Sequence, residues 1–285
     1  MVFFSLISRS LKSAKGFNVP FWELDLGSSA CLRQVKAFSD NYIYFLHDKE
    51  SGGTAVVDPG DGALVLDALK EWDWKLDCIL ATHHHDDHIG GNLAVAERTG
   101  CEIFGSAKGK YRIPGLTTGF EGDKFGQLPT SGYSFHVLDL PGHTSDHIGF
   151  FFPMQKLAFV GDTLFALGCG RLFEGTPSQM WSSMGRLMAL PPDTAVCCGH
   201  EYTQNNAKFA MHVDPLNQAL AARSEGVDAL RAKGQPTVPF LLKEELATNP
   251  FLRPNCTNIR SQVNMPLEAA DVDVFSRLRA LKDRF

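Results

Sequence analysis

The segment ILATHHHDDHIGGN, residues 79–92, constrains this chain most, because four histidines and two aspartates occupy six consecutive positions directly after an apolar run. The whole chain of 285 residues has only ten histidines. Apolar runs of this kind form buried strands, and residues two apart in an extended strand point to the same side. His83 and His85 can therefore bind one cation together.

Asp87 and His88 follow in the same segment, after the chain is predicted to turn. Their side chains can therefore reach a neighbouring point rather than the same one. Imidazole and carboxylate groups together suit zinc, iron and manganese. The spacing H-x-H-x-D-H predicts two adjacent metal sites rather than one.

Three further polar residues lie where apolar strands are predicted to end. His143 stands in a turn in DLPGHTSDH, Asp162 ends FVGD, and His200 ends VCCGH. Each of them, taken singly, is typical of an ordinary turn. Because a scaffold commonly places its site at the ends of strands, the three together are candidate metal ligands.

Short β-branched and aromatic runs alternate with helical patterns over the first two hundred residues. The strand patterns are LRQVKAF, YIYFLHD, TAVVDPG, LDCILATH, CEIFGS, YSFHVLDLPGH, HIGFFFP, KLAFVGDTLF and TAVCCGHE, and the helical ones are GALVLDALKEWDW, GGNLAVAERTG and SQMWSSMGRLMAL. Thr176 or Ser178 is the expected cap of the last helix. Residues 106–130 lack periodicity and predict a long irregular loop. The order of elements favours an α/β fold in which two sheets pack face to face with helices outside.

After Tyr202 the strand patterns stop. The composition favours helices in NNAKFAMHV, PLNQALAARSEGVDALRAKG and EAADVDVFSRLRALKDR. The sequence contains no internal repeat. No polar linker separates this region from the preceding one. We therefore expect a helical C-terminal region that packs directly onto the first domain.

Composition excludes several classes of protein. A net charge of −5 and a pI near 6.0 give no basic footprint for nucleic acid. No stretch is apolar over the length needed to span a bilayer. The seven cysteines include no CxxC pair, and several lie in apolar runs, so we expect reduced, buried thiols.

The first residues, MVFFSLISRSLKSAKGF, contain Arg9, Lys12 and Lys15, several serines and no acidic residue. This composition is typical of an organelle transit peptide. A frayed leader or a first strand explains the same composition equally well. The expected location is therefore either the cytoplasm or the mitochondrion.

The motifs THHHDDH, PGHTSDH, GDTLF and GHEYT, in this order, resemble the metallo-β-lactamase superfamily. GCGRLFEGT at 168–176 and the segment GHEYTQNNAKFA narrow the resemblance to the glyoxalase II family, the hydroxyacylglutathione hydrolases. SDNY at 39–42 and TNPFLR at 248–253 agree with it, so that it covers almost the whole chain after Cys31.

The resemblance implies an α/β fold, the αββα metallo-β-lactamase sandwich, followed by a C-terminal helical domain. An N-terminal extension, which is the candidate transit segment, would occupy residues 1–29. The catalytic domain would occupy residues 30–203, and a helical substrate-binding domain would occupy residues 204–285.

The resemblance also implies how two divalent cations per chain are bound. Seven side chains are implied as ligands, three for one metal, three for the other and one bridging both: His83, His85 and His143; Asp87, His88 and His200; and Asp162. Asp87 and Asp162 would thereby be catalytic carboxylates. His84 and Asp86 match no ligand position. Zinc is the expected metal, and iron and manganese suit the same ligands.

The implied activity is hydrolysis of S-2-hydroxyacylglutathione, such as S-D-lactoylglutathione, to glutathione and a 2-hydroxy acid such as D-lactate. Two adjacent cations lower the pKa of a shared water, which they hold as a bridging hydroxide, and polarise the thioester carbonyl. A thiolate leaves readily, so no dedicated acid is required. The implied partner is a small molecule, with no nucleic acid and no membrane partner, and the chain is expected to be a monomer.

Four residues match positions by which this family binds glutathione. Arg171 falls where a lysine is common, and Tyr202 matches a tyrosine. Phe173 stands where many members have a tyrosine, so one hydroxyl contact is missing. Arg260 matches a basic position in the tail, and ordinary surface charge is the alternative for both arginines. These departures leave a glutathione derivative such as trypanothione open as the thiol.

Two other functions are alternatives. A persulfide dioxygenase on the same fold uses a single iron and glutathione persulfide, but it lacks the GHEYT segment and the long helical tail. A metal-binding or interaction protein with a degenerate site would lack ligands, whereas all seven positions are filled here.

Overall fold

The structure, a computed structural model, describes residues 12–13, 18–27 and 30–285. Contacts divide these residues into two units, each of which is described by itself. The N-terminal unit contains the described residues up to Asp139 together with Asp146–Gly161. The C-terminal unit contains Leu140–Ser145 and Asp162–Phe285.

One mixed sheet of the N-terminal unit follows the order of the chain. Its strands are β1 (Lys12–Ser13), β2 (Phe21–Asp25), β3 (Ala30–Ala37), β4 (Asn41–Asp48), β5 (Thr54–Val57), β6 (Cys78–Leu80), β7 (Glu102–Ser106) and β8 (Thr118–Phe120). Neighbours from β1 to β5 are antiparallel, and neighbours from β5 to β8 are parallel. Turns join β3 to β4 and β4 to β5, whereas longer connections, mostly helical, join the parallel strands.

Helices of the same unit cover one face of this sheet. They are α1 (Gly62–Trp72), α2 (Asp86–Ile89) and α3 (Asn92–Thr99). The carboxylate of Asp61 accepts a hydrogen bond from the backbone N–H of Leu64 and so caps α1. Trp72, on the buried face of α1, packs edge-on against Phe45 of β4, with ring centroids 5.0 Å apart.

A second sheet of the N-terminal unit covers the other face. Its antiparallel strands, in the order β12, β11, β10, β9, are β9 (Phe125–Gln127), β10 (Ser134–Asp139), β11 (Ile148–Phe152) and β12 (Leu157–Gly161). Tyr44 of β4 contacts Phe159 of β12, with ring centroids 5.6 Å apart. Successive residues of a strand point to opposite faces of its sheet. Since both faces of the sheet are covered, β4 is buried along its whole length. The predicted face-to-face packing of two sheets is confirmed.

Residues 106–130 differ from the predicted irregular loop. They contain a 3-10 helix, Ala107–Gly109, and the strands β8 and β9. Each of these strands has three residues, which is too short to show a period in the sequence. Pairing with longer neighbours stabilises them, as β8 pairs with β7 and β9 with β10.

The C-terminal unit begins with a short hairpin and a helix, and helices predominate after Tyr202. Its elements are β13 (Leu164–Phe165), β14 (Gly168–Cys169), α4 (Pro177–Met188), β15 (Ala195–Cys198), α5 (Thr203–Val213), α6 (Gln218–Arg231), β16 (Phe240–Leu241), α7 (Leu242–Thr248), a 3-10 helix (Pro250–Leu252), α8 (Thr257–Gln262) and α9 (Asp271–Lys282). The predicted helices are confirmed as α4, α5, α6 and α9. β16 was not predicted, because its two residues show no pattern and form a strand only by pairing with β15.

Thr176 caps α4. Its hydroxyl accepts a hydrogen bond from the backbone N–H of Gln179, and the Gln179 side chain accepts one from the backbone N–H of Thr176. This is a capping box, in which two backbone donors of the first turn are satisfied. Of the two predicted caps, the structure therefore selects Thr176 rather than Ser178.

The predicted N-terminal extension lies only partly within the described residues. Residues 1–11, 14–17 and 28–29 lie outside them. Within the rest, β2 pairs antiparallel with β3, so the sheet begins before residue 30. Over the part of the chain that the structure describes, no helix is both long and apolar enough to cross a membrane.

The cysteines are all free thiols, as predicted. Six are buried, and Cys256 is partly exposed. Burial raises the pKa of the buried thiols, to about 11 at Cys31. These cysteines are therefore packing residues with little thiolate character.

Candidate metal and substrate site

In the N-terminal unit, β6 leads directly to the histidine segment. β6 is fully buried, and His83, three residues after it, is completely buried as well. His83 Nε2 lies 3.1 Å from His85 Nδ1, and His83 Nδ1 contacts the Thr82 hydroxyl at 3.0 Å. The imidazoles of His83 and His85 therefore meet, as their spacing of two predicted.

Asp58 contacts two residues of the histidine segment, Thr82 and His88. Val57 of β5 pairs with Leu80 of β6 in parallel register, so the residues after each strand lie side by side. The Asp58 carboxylate accepts hydrogen bonds from the backbone N–H and the hydroxyl of Thr82, at 2.8 and 2.7 Å. It also contacts His88 Nδ1 at 3.0 Å. Asp58 was missed in the sequence, where the only signal is an acid directly after a buried strand.

Asp87 and His88 lie in the short helix α2. Because His88 Nδ1 is held by Asp58, its Nε2 is the nitrogen that faces Asp87, at 3.5 Å from Oδ2. The Asn41 side-chain amide donates to Asp87 Oδ2 at 2.9 Å and to the Asp87 carbonyl at 3.3 Å. Asn41, within the SDNY motif, thus orients the Asp87 carboxylate.

His84 and Asp86 do not join these residues. His84 Nδ1 lies 2.8 Å from Asp146 Oδ1, and Asp86 is exposed in the first turn of α2.

The C-terminal unit brings His143, Asp162 and His200 together. Asp162 Oδ2 lies 3.5 Å from His143 Nε2 and 3.3 Å from His200 Nε2. All three residues are buried. One carboxylate oxygen thus lies between two imidazoles, although the three residues are far apart in the sequence.

The segment GCGRLFEGT holds His143 in place. His143 Nδ1 donates to the Arg171 carbonyl at 2.8 Å, which leaves Nε2 as the nitrogen facing Asp162. The backbone N–H groups of Phe173 and Glu174 donate to the His143 carbonyl. The Glu174 carboxylate accepts from the backbone N–H and the hydroxyl of Ser145, at 2.8 and 2.7 Å. The motif therefore orients a candidate ligand.

The distances fit a divalent metal. A tetrahedral ion with bonds of about 2.0–2.1 Å holds its ligand atoms about 3.3 Å apart. The spacings just described, between 3.1 and 3.5 Å, match that value. Within the N-terminal unit, ligand atoms of Asp58, His83 and His88 also lie within 4.8 Å of one another. Imidazoles and carboxylates at these separations, most of them buried, indicate divalent-metal binding.

Three of the predicted substrate residues lie beside these groups in the C-terminal unit. Arg171 is exposed, and its carbonyl holds His143. The exposed ring of Phe173 lies 5.2 Å from the His143 ring. Tyr202 stacks parallel on His200 at 4.8 Å and is 39% exposed. An aromatic surface therefore adjoins the two histidines.

Arg260 differs from the expectation. It is buried, and its guanidinium donates to the carbonyls of Pro254, Leu267 and Ala269 and to the carboxylate of Asp271. These bonds tie the residues before and after α8 to the start of α9. Because its donors serve the fold, Arg260 is neither a surface charge nor a group directed at a ligand.

Lys282, which the sequence did not single out, lies close to Arg171. Its ammonium donates to the Asn205 carbonyl at 3.1 Å and lies over the Phe209 ring. Burial, together with the nearby guanidinium groups of Arg279 and Arg171, lowers the pKa of Lys282 to about 8. Asp283 pairs with Arg279, so the three cations and this carboxylate leave an excess of positive charge in the region. An excess of positive charge favours the binding of anions.

Comparisons with known proteins agree with these features. The model of the metallo-beta-lactamase superfamily matches residues 38–200, and that of the hydroxyacylglutathione hydrolase C-terminus matches residues 201–285. A metallo-beta-lactamase from Staphylococcus aureus has the same fold, with a TM-score of 0.60 and 19% identity, over 89% of this chain and 71% of that one.

Curated relatives are similar over most of their length. Hydroxyacylglutathione hydrolase of Methylococcus capsulatus is 50% identical over 253 residues, 88% of this chain and 97% of the relative. That of Rhodospirillum rubrum is 46% identical over 261 residues, 90% of this chain and 100% of the relative. The chain belongs to the hydroxyacylglutathione hydrolase family, whose fold is the metallo-β-lactamase sandwich with a C-terminal helical domain.

Proposed function

We propose that this chain hydrolyses S-2-hydroxyacylglutathione, with S-D-lactoylglutathione as the reference substrate, to glutathione and a 2-hydroxy acid. The observation that carries the proposal is the Asp162 carboxylate between the Nε2 atoms of His143 and His200. Family membership over most of the chain supports the same activity.

Seven side chains are proposed to bind two divalent cations. One cation is assigned to His83, His85 and His143, the other to Asp87, His88 and His200, and Asp162 to both. The donor chemistry and the spacings between 3.1 and 3.5 Å support this assignment. Zinc is the proposed metal, and iron and manganese suit the same donors.

Bound there, two divalent cations would supply a water of lowered pKa and polarise the thioester carbonyl. The residues of the chain hold the donor atoms in place. Asp58 orients His88, Asn41 orients Asp87, and the Arg171 carbonyl orients His143. No acid is needed for the leaving group, because a thiolate departs without protonation.

Arg171 and Lys282 are proposed to bind the carboxylates of the tripeptide. Burial is the main cause of the lowered pKa of Lys282, and Arg279 and Arg171 lower it further. An anion bound between Arg171 and Lys282 would offset the repulsion between these two charges. Tyr202 and Phe173 supply an aromatic surface beside the histidines. Phe173 has no hydroxyl with which to donate a hydrogen bond, so the peptide is held there by packing alone.

A thioester assay with metal analysis tests the function. Purified protein should hold about two divalent ions per chain, hydrolyse S-D-lactoylglutathione, lose activity on chelation and regain it with zinc. Oxygen consumption with glutathione persulfide and no thioesterase activity would instead identify a persulfide dioxygenase. Faster hydrolysis of a trypanothione thioester would identify that thiol as the substrate.

The partner is proposed to be a small molecule, and the chain a monomer, which light scattering would test. We propose that the protein is located in the cytoplasm or the mitochondrion. The composition of the first residues supports the mitochondrion. Fusing residues 1–29 to a fluorescent protein would decide between them.

A further inference from the structure

His84 is the middle one of three consecutive histidines, and it differs from its neighbours in what it contacts. His83 and His85 face each other through Nε2 and Nδ1. His84 Nδ1 lies 2.8 Å from Asp146 Oδ1, and its Nε2 lies 3.5 Å from Nη1 of Arg112. Because a carboxylate accepts and a guanidinium donates, His84 is held as the tautomer that carries its proton on Nδ1.

Asp146 is buried to an unusual degree for a carboxylate. Its side chain is completely inaccessible, whereas that of His84 is 17% exposed and that of Arg112 is 35% exposed. Arg112 Nη2 lies 3.4 Å from Asp146 Oδ1. Gly109 leaves room for the carboxylate, since a Cβ there would lie 2.8 Å from Asp146 Oδ2. A charge buried in this way is retained only with partners. Here two of the partners, His84 and Arg112, also contact each other.

A histidine that lies between two metal-binding histidines can compete with them for the metal. Imidazoles at three consecutive positions have the same donor chemistry, so a small shift of the segment would present His84 in place of a neighbour. In extended chain, alternate residues point to opposite sides. Anchoring the middle ring on one side therefore selects the outer two for the other side.

We propose that Asp146 and Arg112 are positioning residues, which engage both nitrogens of His84 so that His83 and His85 alone present nitrogens to the metal. The inference rests on the proposed ligand role of His83 and His85. Neither positioning residue touches the reacting atoms. Both act on the metal site through His84.

The test uses the full-length apo protein titrated with cobalt(II), followed by its visible absorption, and with zinc against a chromophoric chelator. Asp146→Ala should raise the dissociation constant of one of the two ions by about ten-fold or more, with a changed cobalt spectrum. The other ion should be affected less than two- to three-fold. Lys108→Ala, which removes an ion pair with Asp139 in the same region, is the matched control and should bind both ions as wild type does.

The dependence on His84 distinguishes positioning from a general structural role. In a His84→Ala background, Asp146→Ala should add no further loss of metal affinity. If it adds its full effect there, or if Asp146→Ala binds both ions as wild type does, the inference is overturned. Should Asp146→Ala fail to fold, the partly exposed Arg112→Gln replaces it, with an expected loss of about three-fold or more that is again absent without His84. Wild-type protein that binds no cobalt would instead overturn the proposed metal site itself.

Discussion

Two glycines lie against the backbones of the aspartates proposed as ligands. A Cβ at Gly60 would lie 1.9 Å from the Asp87 carbonyl oxygen, and one at Gly170 would lie 1.9 Å from the Asp162 carbonyl oxygen. No other residue fits at such a distance without moving the backbone. The position of each carboxylate therefore depends on a neighbour with no side chain.

Gly170→Ala should displace Asp162 and lower the metal content. We expect a loss of unfolding free energy of about 1–3 kcal/mol from the overpacked contact. The control is Gly185→Ala in α4, where a Cβ meets nothing within 4 Å. Because Gly185 is exposed, that change should stabilise α4 by up to about 1 kcal/mol. Urea denaturation and elemental analysis measure both effects, and unchanged metal content in Gly170→Ala would contradict the role given to the close contact.

Asp162→Ala should remove most of the activity and lower the occupancy of both metals, because one carboxylate is proposed to serve the two. We expect kcat/KM to fall by about a thousand-fold or more. Asp86→Ala, an exposed aspartate beside the ligands, is the control and should retain the metal content and rate of the wild type. Elemental analysis that shows one full site and a wild-type rate in Asp162→Ala would rule out bridging.

Arg171→Met should weaken substrate binding with little effect on turnover. The exposed guanidinium is proposed to bind a carboxylate away from the reacting carbonyl, so its contribution is the same in the ground and transition states. A charge-assisted hydrogen bond of roughly 1.5–3 kcal/mol corresponds to a KM raised by about ten-fold or more. The comparison is a thioester that lacks the glycine carboxylate. An equal penalty on both substrates would show that Arg171 binds something else, and a collapse of kcat alone would place it with the metal site.

At the scale of elements, α9 supports the turn that precedes Arg171. Arg279 donates to the Cys169 carbonyl at 2.7 Å, and Phe275 packs against Trp181 of α4 and Phe251. The last helix thus fixes the turn and brings Lys282 into place. This contact supports the proposal that the helical tail takes part in binding the thiol.

The charge of Lys282 should make binding depend on pH. With a pKa of about 8, the ammonium is charged below that pH and loses its charge above it, so attraction for an anion is present at pH 7 and lost toward pH 9. The dissociation constant of S-methylglutathione should rise by up to about ten-fold over this range. Lys282→Met should bind weakly at pH 7 and show a flat profile. A rise with pH that persists in Lys282→Met would assign the titration to another group.

At the scale of the whole molecule, the proposed metal ligands of each unit are mostly buried. His83, His88, His143, Asp162 and His200 are each at most 6% exposed. Polar groups of this kind are held in the interior at a cost in free energy. A cation that binds the folded chain and not the unfolded one offsets this cost.

Removing the metals should therefore lower the thermal stability. At a free metal concentration a thousand times its Kd, one ion contributes about 4 kcal/mol to folding. For a chain of this size, the Tm of the apo protein should be lower by several degrees and should rise with added zinc. Calorimetry with and without chelator measures the difference. Equal Tm values would show that the folded chain binds no metal tightly.

Most strands and helices of this protein, and several of its candidate ligands, can be predicted from local sequence patterns. The strands that lead to His83, His143 and His200 are apolar runs of ordinary length, and the polar residue after each run is visible locally. The spacing of two between His83 and His85 predicted that their rings meet. The cap of α4 and the long helices after Tyr202 follow from the same local patterns, because helix and strand periods depend on near neighbours.

Which distant groups meet depends on how the strands and helices pack together. Asp58 binds Thr82 across 24 positions and Asn41 binds Asp87 across 46, since parallel pairing of β5 and β6 and the turn after β3 bring them together. Arg260 and Lys282 illustrate the same limit. Both are basic residues near the end of the chain. Arg260 donates its hydrogen bonds to backbone carbonyls within the fold, whereas Lys282 lies close to Arg171. Local sequence patterns specify the helices and strands, but contacts between them depend on how they pack. The packing therefore determines which partner each charged side chain contacts.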